Sequence, residues 1–367
     1  MRLGFSSAPV DRVRVNAFTI PTDFPESDGT IEWNSTTLVL AEISAGGKTG
    51  IGYTYSHVTA AELIESTLAK SVYGKDALDI PAIWFEMVRQ VRNIGLQGLA
   101  ATAISAVDNA LWDLKARLLD LPLVRLLGAA HESVVAYGSG GFTSYSIEQL
   151  QKQFSGWAEL GLERVKMKVG RDPSADPERV RAARAAIGDS RQLYVDANGG
   201  YTRKQALFFA EEFARSNVTW FEEPVSSQDL EGLRLMRDRA PAGMNIAAGE
   251  YGYDPVYFRR MLEAGAVDIL QADATRCLGI SGFLQAAALC QAHGLPLSAH
   301  TAPTIHAHAL CAVVPAYDVE YFHDHARIEQ MLFDGATVPQ RGRLVPDLSR
   351  PGFGIELKQA DAQRYAA

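Results

Sequence analysis

The chain has 367 residues, 47% of them hydrophobic and 21% charged, with 31 Gly and 16 Pro. This excludes disorder, collagen-like repeats and coiled coil, and leaves either two domains or one barrel with an addition. Thirty-five basic against 43 acidic residues give a net charge of −8 with no block of one sign, which disfavours nucleic acid as a partner. Cys277, Cys290 and Cys311 have no CxxC spacing, and neither a signal-peptide-like start nor eighteen consecutive uncharged apolar residues occurs, so the expectation is a cytoplasmic protein with no membrane partner.

From about Arg12 to Gly52 the chain alternates (VRVNAF, STTLVLAEIS, then a Gly-Gly-Lys-Thr-Gly turn), which predicts an antiparallel meander. Thr59 to Leu127 has helical spacing, including an Ala-rich stretch, Leu99 to Leu118, that carries Asp108 and Asp113. Beyond Glu132, eight short apolar runs alternate with amphipathic segments: VVAYGS, RVKMKV, QLYVDAN, VTWFEEP, MNIAAGE, AVDILQAD, LPLSAH and YDVEYF. Eight such βα units, with no GxGxxG after the first strand, predict a TIM-type barrel rather than an open doubly wound sheet. Past Gly335, GRLVPDL and PGFGIEL read as short strands able to pair with the N-terminal meander. The division expected is 1–130 for an α+β domain, 131–334 for the barrel and 335–367 returning to the first domain.

The C-terminal ends of barrel strands build active sites, and here they read Ser139, Lys166 with Lys168, Asp196 with Asn198, Glu222 with Glu223, Glu250, Asp273, His300 and Glu320. Each alone is ordinary, as a helix cap or a solvated charge, but capping does not explain so many ionisable groups at one mouth. Asp196, Glu222 and Glu250 end successive strands with no basic residue between them, a self-repelling set that calls for a hard cation, Mg²⁺ rather than zinc. Lys166 and Lys168 share a strand face, and mutual repulsion beside a cation is expected to depress the ammonium toward a usable base. Asp273 is placed to orient His300 as a second base on the other side, and Glu320 is expected as a neutral carboxylic acid donating to a bound substrate carboxylate.

In this order the motifs resemble the mandelate racemase subgroup of the enolase superfamily, over essentially the whole chain. The resemblance implies a (β/α)7β modified TIM barrel with an α+β N-terminal capping domain completed by the C-terminal tail. It implies Lys168, the second lysine of KxK, as one base, and Asp196 of VDAN, Glu222 of WFEEP and Glu250 of AAGE as ligands of one Mg²⁺. It implies an Asp273–His300 dyad and a Glu320 partner, a homo-oligomer, and substrate selection by two capping loops, about Thr19 to Trp33 and Gly50 to Thr59. A dyad in place of a lysine on the sixth strand sets the chain apart from the muconate-lactonizing and dipeptide-epimerase branches.

Tyr53, Tyr55 and His57 in the second loop, with Phe24 in the first, are either ordinary loop residues or the wall that reads the far end of the substrate. His306 and His308 are expected as surface histidines or as part of the site, while His323 and His325 share a face if that run stays extended and would then bind substrate hydroxyls. Bases on two faces allow dehydration of a hydroxy acid or sugar acid to a 2-keto-3-deoxy acid, or racemisation of a 2-hydroxy acid. The first is preferred by analogy with acid-sugar dehydratases. A non-catalytic binding barrel is the remaining reading, disfavoured because a scaffold has no use for so much like charge.

Overall fold

The computed structural model describes residues 7–367. Strands β1 (Val10–Ser27), β2 (Glu32–Ala45) and β3 (Lys48–Tyr55) form an antiparallel meander. Gly46 and Gly47, at φ +56° and +74°, form the two-residue turn between Ala45 and Lys48, the conformation that matches strand twist in a tight hairpin. The helix Leu99–Leu118 packs across this sheet so closely that a Cβ on Gly52 would lie 2.1 Å from the Ala110 nitrogen. Alanines on the helix and glycines on β3 make that approach possible.

The barrel comprises β4 (Val134–Gly140), β5 (Arg164–Lys168), β6 (Gln192–Asp196), β7 (Val218–Glu222), β8 (Asn245–Ala248), β9 (Ile269–Ala272), β10 (Leu297–Ala299) and β11 (Ala316–Phe322). Neighbours pair in parallel, and Val319 to Phe322 of β11 pair with Ala136 to Ser139 of β4 to close the circle. A helix follows every strand, the last being His323–Leu332. Inside, Tyr137, Tyr194 and Trp220 form a buried floor, with Tyr194 and Trp220 stacked at 4.8 Å. Lys166 stands on this floor, its ammonium 5.3 Å from the Tyr137 ring.

The capping domain is anchored to the barrel by buried polar contacts. Asn109 Nδ2 donates to the Ala274 carbonyl (3.0 Å), Thr54 Oγ1 to the Thr275 carbonyl (2.6 Å), and Ser281 Oγ to Asp108 (2.7 Å). The C-terminal tail corrects one expectation: Arg343–Leu344 pairs with β4, and Glu356–Leu357 with Phe333–Asp334, so neither extends the meander. Val134 and Val135 of β4 precede the stretch that pairs with β11 and β5, so their edge is open to Arg343–Leu344. The tail still reaches the cap, because the Phe353 amide donates to Asp113 at 2.7 Å and Ala366 bridges Phe18. No helix among the described residues is long and apolar enough to cross a membrane.

Candidate active site

Strand register assembles the rim. Lys168 lies opposite Asp196, and Asp196 opposite Glu222, so one barrel layer carries a cation and two carboxylates. Just beyond the strands, Asn198, Glu223, Thr301 and Ala302 all have positive φ, and Gly249 is at +138°; such left-handed turns in non-glycine residues persist where the surroundings over-determine them and they gather at functional sites. Asp196, Glu222 and Glu250 are buried and each offers an oxygen within 4.8 Å of the others'. This all-oxygen, dianionic-or-greater donor set fits a hard divalent cation such as Mg²⁺.

Two ammonium groups are threaded among these acids. Lys168 Nζ donates to Asp196 at 2.5 Å, while Lys166 Nζ lies 2.8 Å from both Glu222 oxygens and 2.8 Å from Glu320. The expected depression of the lysines is therefore reversed. Burial opposes their charge, but Glu222 and Glu320 hold Lys166, and Asp196 holds Lys168, well above the ordinary lysine value. Burial, with Asp196 close by, lifts Glu222 to about 8 in spite of Lys166. Glu250 is also penalised by burial, yet His300, Arg276 and Lys168 hold it well below the usual carboxylate range.

On the opposite side His300 Nδ1 is 2.8 Å from Asp273, and its Nε2 faces Glu250 at 3.3 Å and Glu320 at 3.5 Å. Asp273 also accepts from the Thr275 amide and hydroxyl (2.6 and 2.7 Å), which fixes its orientation. Burial disfavours a charged imidazole, but Glu250 and Glu320 raise His300 to about 9. The neutral Glu320 expected from sequence is corrected for the same reason. Burial alone would keep it protonated, but Lys166, His300 and Lys168 bring it down to about 2, and it accepts from the Thr301 amide at 3.2 Å.

The cap residues divide. Tyr55 lines the mouth, its ring stacked on His325 at 3.4 Å and 9°. Tyr53, one strand pleat away, is buried and donates to Glu329 at 2.6 Å. His57 is exposed and bonds Thr59, and Phe24 is 53% exposed against the edge of Tyr145. Much of the first predicted loop is strand, since β1 and β2 continue as a hairpin whose tip, at Gly29, lies against the Ala197 carbonyl.

Both histidine-bearing segments are helical, which gives the four imidazoles different places. His323 and His325 open the helix His323–Leu332 and diverge, His323 toward Asp23 at 3.2 Å and His325 into the mouth, buried, with Nδ1 lacking a partner. His306 and His308 are wholly buried on Pro303–Cys311 and are not surface residues. His306 accepts from the Ala274 amide (2.9 Å) and donates to the Thr301 carbonyl (2.7 Å), bracing the loops that carry Asp273 and His300. Asn198 lines the mouth, and its backbone N–H donates to Asp196 at 2.9 Å. Sequence reasoning missed Arg276, whose guanidinium reaches Glu250 at 3.3 Å and Asp273 at 3.7 Å; its place three residues after Asp273 was the available signal.

The chain is similar to known proteins over nearly its whole length. A model described as "Mandelate racemase / muconate lactonizing enzyme, N-terminal domain" matches residues 15–128, and one described as "Enolase C-terminal domain-like" matches 149–362. The crystal structure of a mandelate racemase/muconate lactonizing enzyme-like protein from Rubrobacter xylanophilus is 56% identical, with TM-score 0.96, over 98% of this chain and all of that one. L-talarate/galactarate dehydratase of Salmonella typhimurium LT2 is 32% identical over 97% of this chain and 90% of its own. Its structure liganded with Mg and L-lyxarohydroxamate has TM-score 0.90 at 30% identity, covering 99% of this chain and 94% of that one. A 3,6-anhydro-alpha-L-galactonate cycloisomerase of Streptomyces coelicolor is 33% identical over 95% of this chain and 97% of its own.

Proposed function

Because the chain belongs to the mandelate racemase/muconate lactonizing enzyme family, we propose that it is a Mg²⁺-dependent dehydratase of sugar-derived acids, converting one to a 2-keto-3-deoxy acid. One observation carries the reading: Lys168 and the Asp273–His300 dyad stand on opposite flanks of the Asp196, Glu222 and Glu250 cluster. Bound by those three residues, Mg²⁺ supplies the charge that balances them and polarises a substrate carboxylate. With Asp196 taken up by the metal, Lys168 would lose the carboxylate that holds it charged; as the free amine it takes the α-proton, and the electron pair left on carbon is delocalised into the carboxylate as an enediolate. Collapse of the enediolate breaks the C3–O bond while protonated His300 gives its proton to the departing hydroxyl, so water leaves and the enol tautomerises to the keto acid. Lys166 and Glu320 hold one another and keep the floor of the mouth charged and rigid.

The same reading makes the protein a cytoplasmic homo-oligomer with one Mg²⁺ per subunit, and makes 1–130 with 335–367 the cap of a barrel at 131–334. Relatedness to dehydratases and the hydroxyl-rich cap wall favour dehydration over racemisation. A panel of hexonates, pentonates, aldarates and tartrates tests it: at least one should accumulate a 2-keto acid, trapped as its semicarbazone. Loss of optical rotation with α-deuterium uptake and no keto acid from any member would replace it with a racemase.

A further inference from the structure

We infer that the substrate is an aldonic acid, a sugar monocarboxylate with a neutral far end, and that the cap discriminates against the corresponding dicarboxylic acids. This rests on the reading of the site as an acid-sugar dehydratase and narrows it from the shape of charge across the cavity.

The cavity between rim and cap is about 250 Å³, small for a ligand site, so a substrate anchored at the rim by its reacting carboxylate meets the cap with its other end. Among the described residues that line it, the cations are Lys168, Arg276 and His300, all on the barrel side. Each is already engaged by a rim carboxylate: Lys168 by Asp196, Arg276 by Glu250, His300 by Asp273. The cap side offers instead the hydroxyls of Ser35, Thr36, Thr37 and Ser56, and one charge of the opposite kind, Asp28.

Asp28 sits at the hairpin tip, only 5% exposed. One of its oxygens is held by its own turn, accepting from the Thr30 amide at 2.6 Å and the Ile31 amide at 2.8 Å. A substrate hydroxyl can donate to such a carboxylate, whereas a second substrate carboxylate would be desolvated beside a like charge with no cation to pair it. His325 adds a neutral partner: packed on Tyr55, it keeps a buried Nδ1 without a partner and suits a hydroxyl better than an anion. Burial, with the nearby charge of His300, holds this imidazole well below its ordinary value.

Matched pairs that differ only at the far carbon test the inference: D-gluconate with D-glucarate, D-galactonate with galactarate, and a pentonate with its pentarate. Each is assayed for 2-keto acid with the Mg²⁺-loaded enzyme, and for binding to His300→Asn by calorimetry. In the productive pair the aldonate should exceed its diacid on the order of 100-fold in kcat/KM and should bind more tightly. Asp28→Asn, which keeps the turn-forming acceptor but replaces the free carboxylate oxygen with an amide, should narrow the aldonate-to-diacid ratio of kcat/KM about 10-fold, raising the diacid and lowering the aldonate. A diacid processed as well as its aldonate overturns the inference and leaves the dehydratase reading standing. Neither turnover nor binding of any member overturns both.

Discussion

The two walls of the active-site cavity are built on opposite principles. The barrel wall packs Asp196, Glu222, Glu250, Asp273 and Glu320 against Lys166, Lys168, Arg276 and His300, all buried except the half-buried Arg276, in pairs between 2.5 and 3.7 Å. The cap wall is mostly neutral, its hydroxyls tied to one another or to the fold, as Thr37 is to Thr19 at 2.8 Å and Ser56 to Thr102 at 2.9 Å. Charge that must be created and moved is confined to the rigid strand ends, where register fixes it. Recognition of a substrate's remainder is left to a hairpin and a strand end that can change without disturbing the chemistry.

The sharpest way to break this contrast is at the metal ligands. Glu222→Gln, or excess chelator on the unaltered protein, is expected to abolish turnover, with Mg²⁺ restoring only the chelated sample; activity assays and metal titration check it. Removing the base or the acid should cost less. Lys168→Ala and His300→Asn are each expected to lower kcat by roughly 10²–10⁴-fold without comparable loss of melting temperature, whereas Asp273→Asn acts through the orientation of His300 and should fall short of either.

The joint between the two walls gives a smaller effect of a different kind. Tyr53 of the cap and Thr304 of the barrel both donate to Glu329 at 2.6 Å, and burial raises this carboxyl to about 7 in spite of them. The folded protein therefore holds this proton more tightly than the unfolded chain. The stability it contributes is full below about pH 4.5 and is lost as pH rises through about 7, on the order of a few kcal/mol. Glu329→Gln should remove that loss, so its melting temperature relative to the unaltered protein should rise across this interval. The smallest effect belongs to Tyr55→Phe. It deletes one 3.3 Å hydrogen bond to the His325 carbonyl and keeps the stack, so KM should move by less than about 5-fold and kcat hardly at all.

Strand-end chemistry was legible in the sequence because each barrel strand is short and carries the residue that matters at its end or within two positions of it: VDAN places Asp196 and QAD places Asp273 with no ambiguity of period. What is not local was hidden. HDHAR after YDVEYF looks extendable, but the following turn buries Ala326, Ile328 and Glu329 at helical spacing, which turns His323 away from His325. The protonation of Glu320 depends on Lys166 and Lys168 of β5 and on His300 after β10, and no single segment reveals it. The tail strands were recognised as strands, yet their partners depend on which sheet edges lie open, a property of the assembled fold.

The division of labour between the two flanks of the rim is tested most directly by following substrate α-proton exchange in D₂O with the Lys168→Ala and His300→Asn variants. Neither variant should form keto acid at an appreciable rate, and His300→Asn should still wash deuterium into C2 of the substrate while Lys168→Ala does not. Exchange retained in both variants, or undiminished keto-acid formation in either, would contradict the assignment of Lys168 as the base and His300 as the acid on opposite faces.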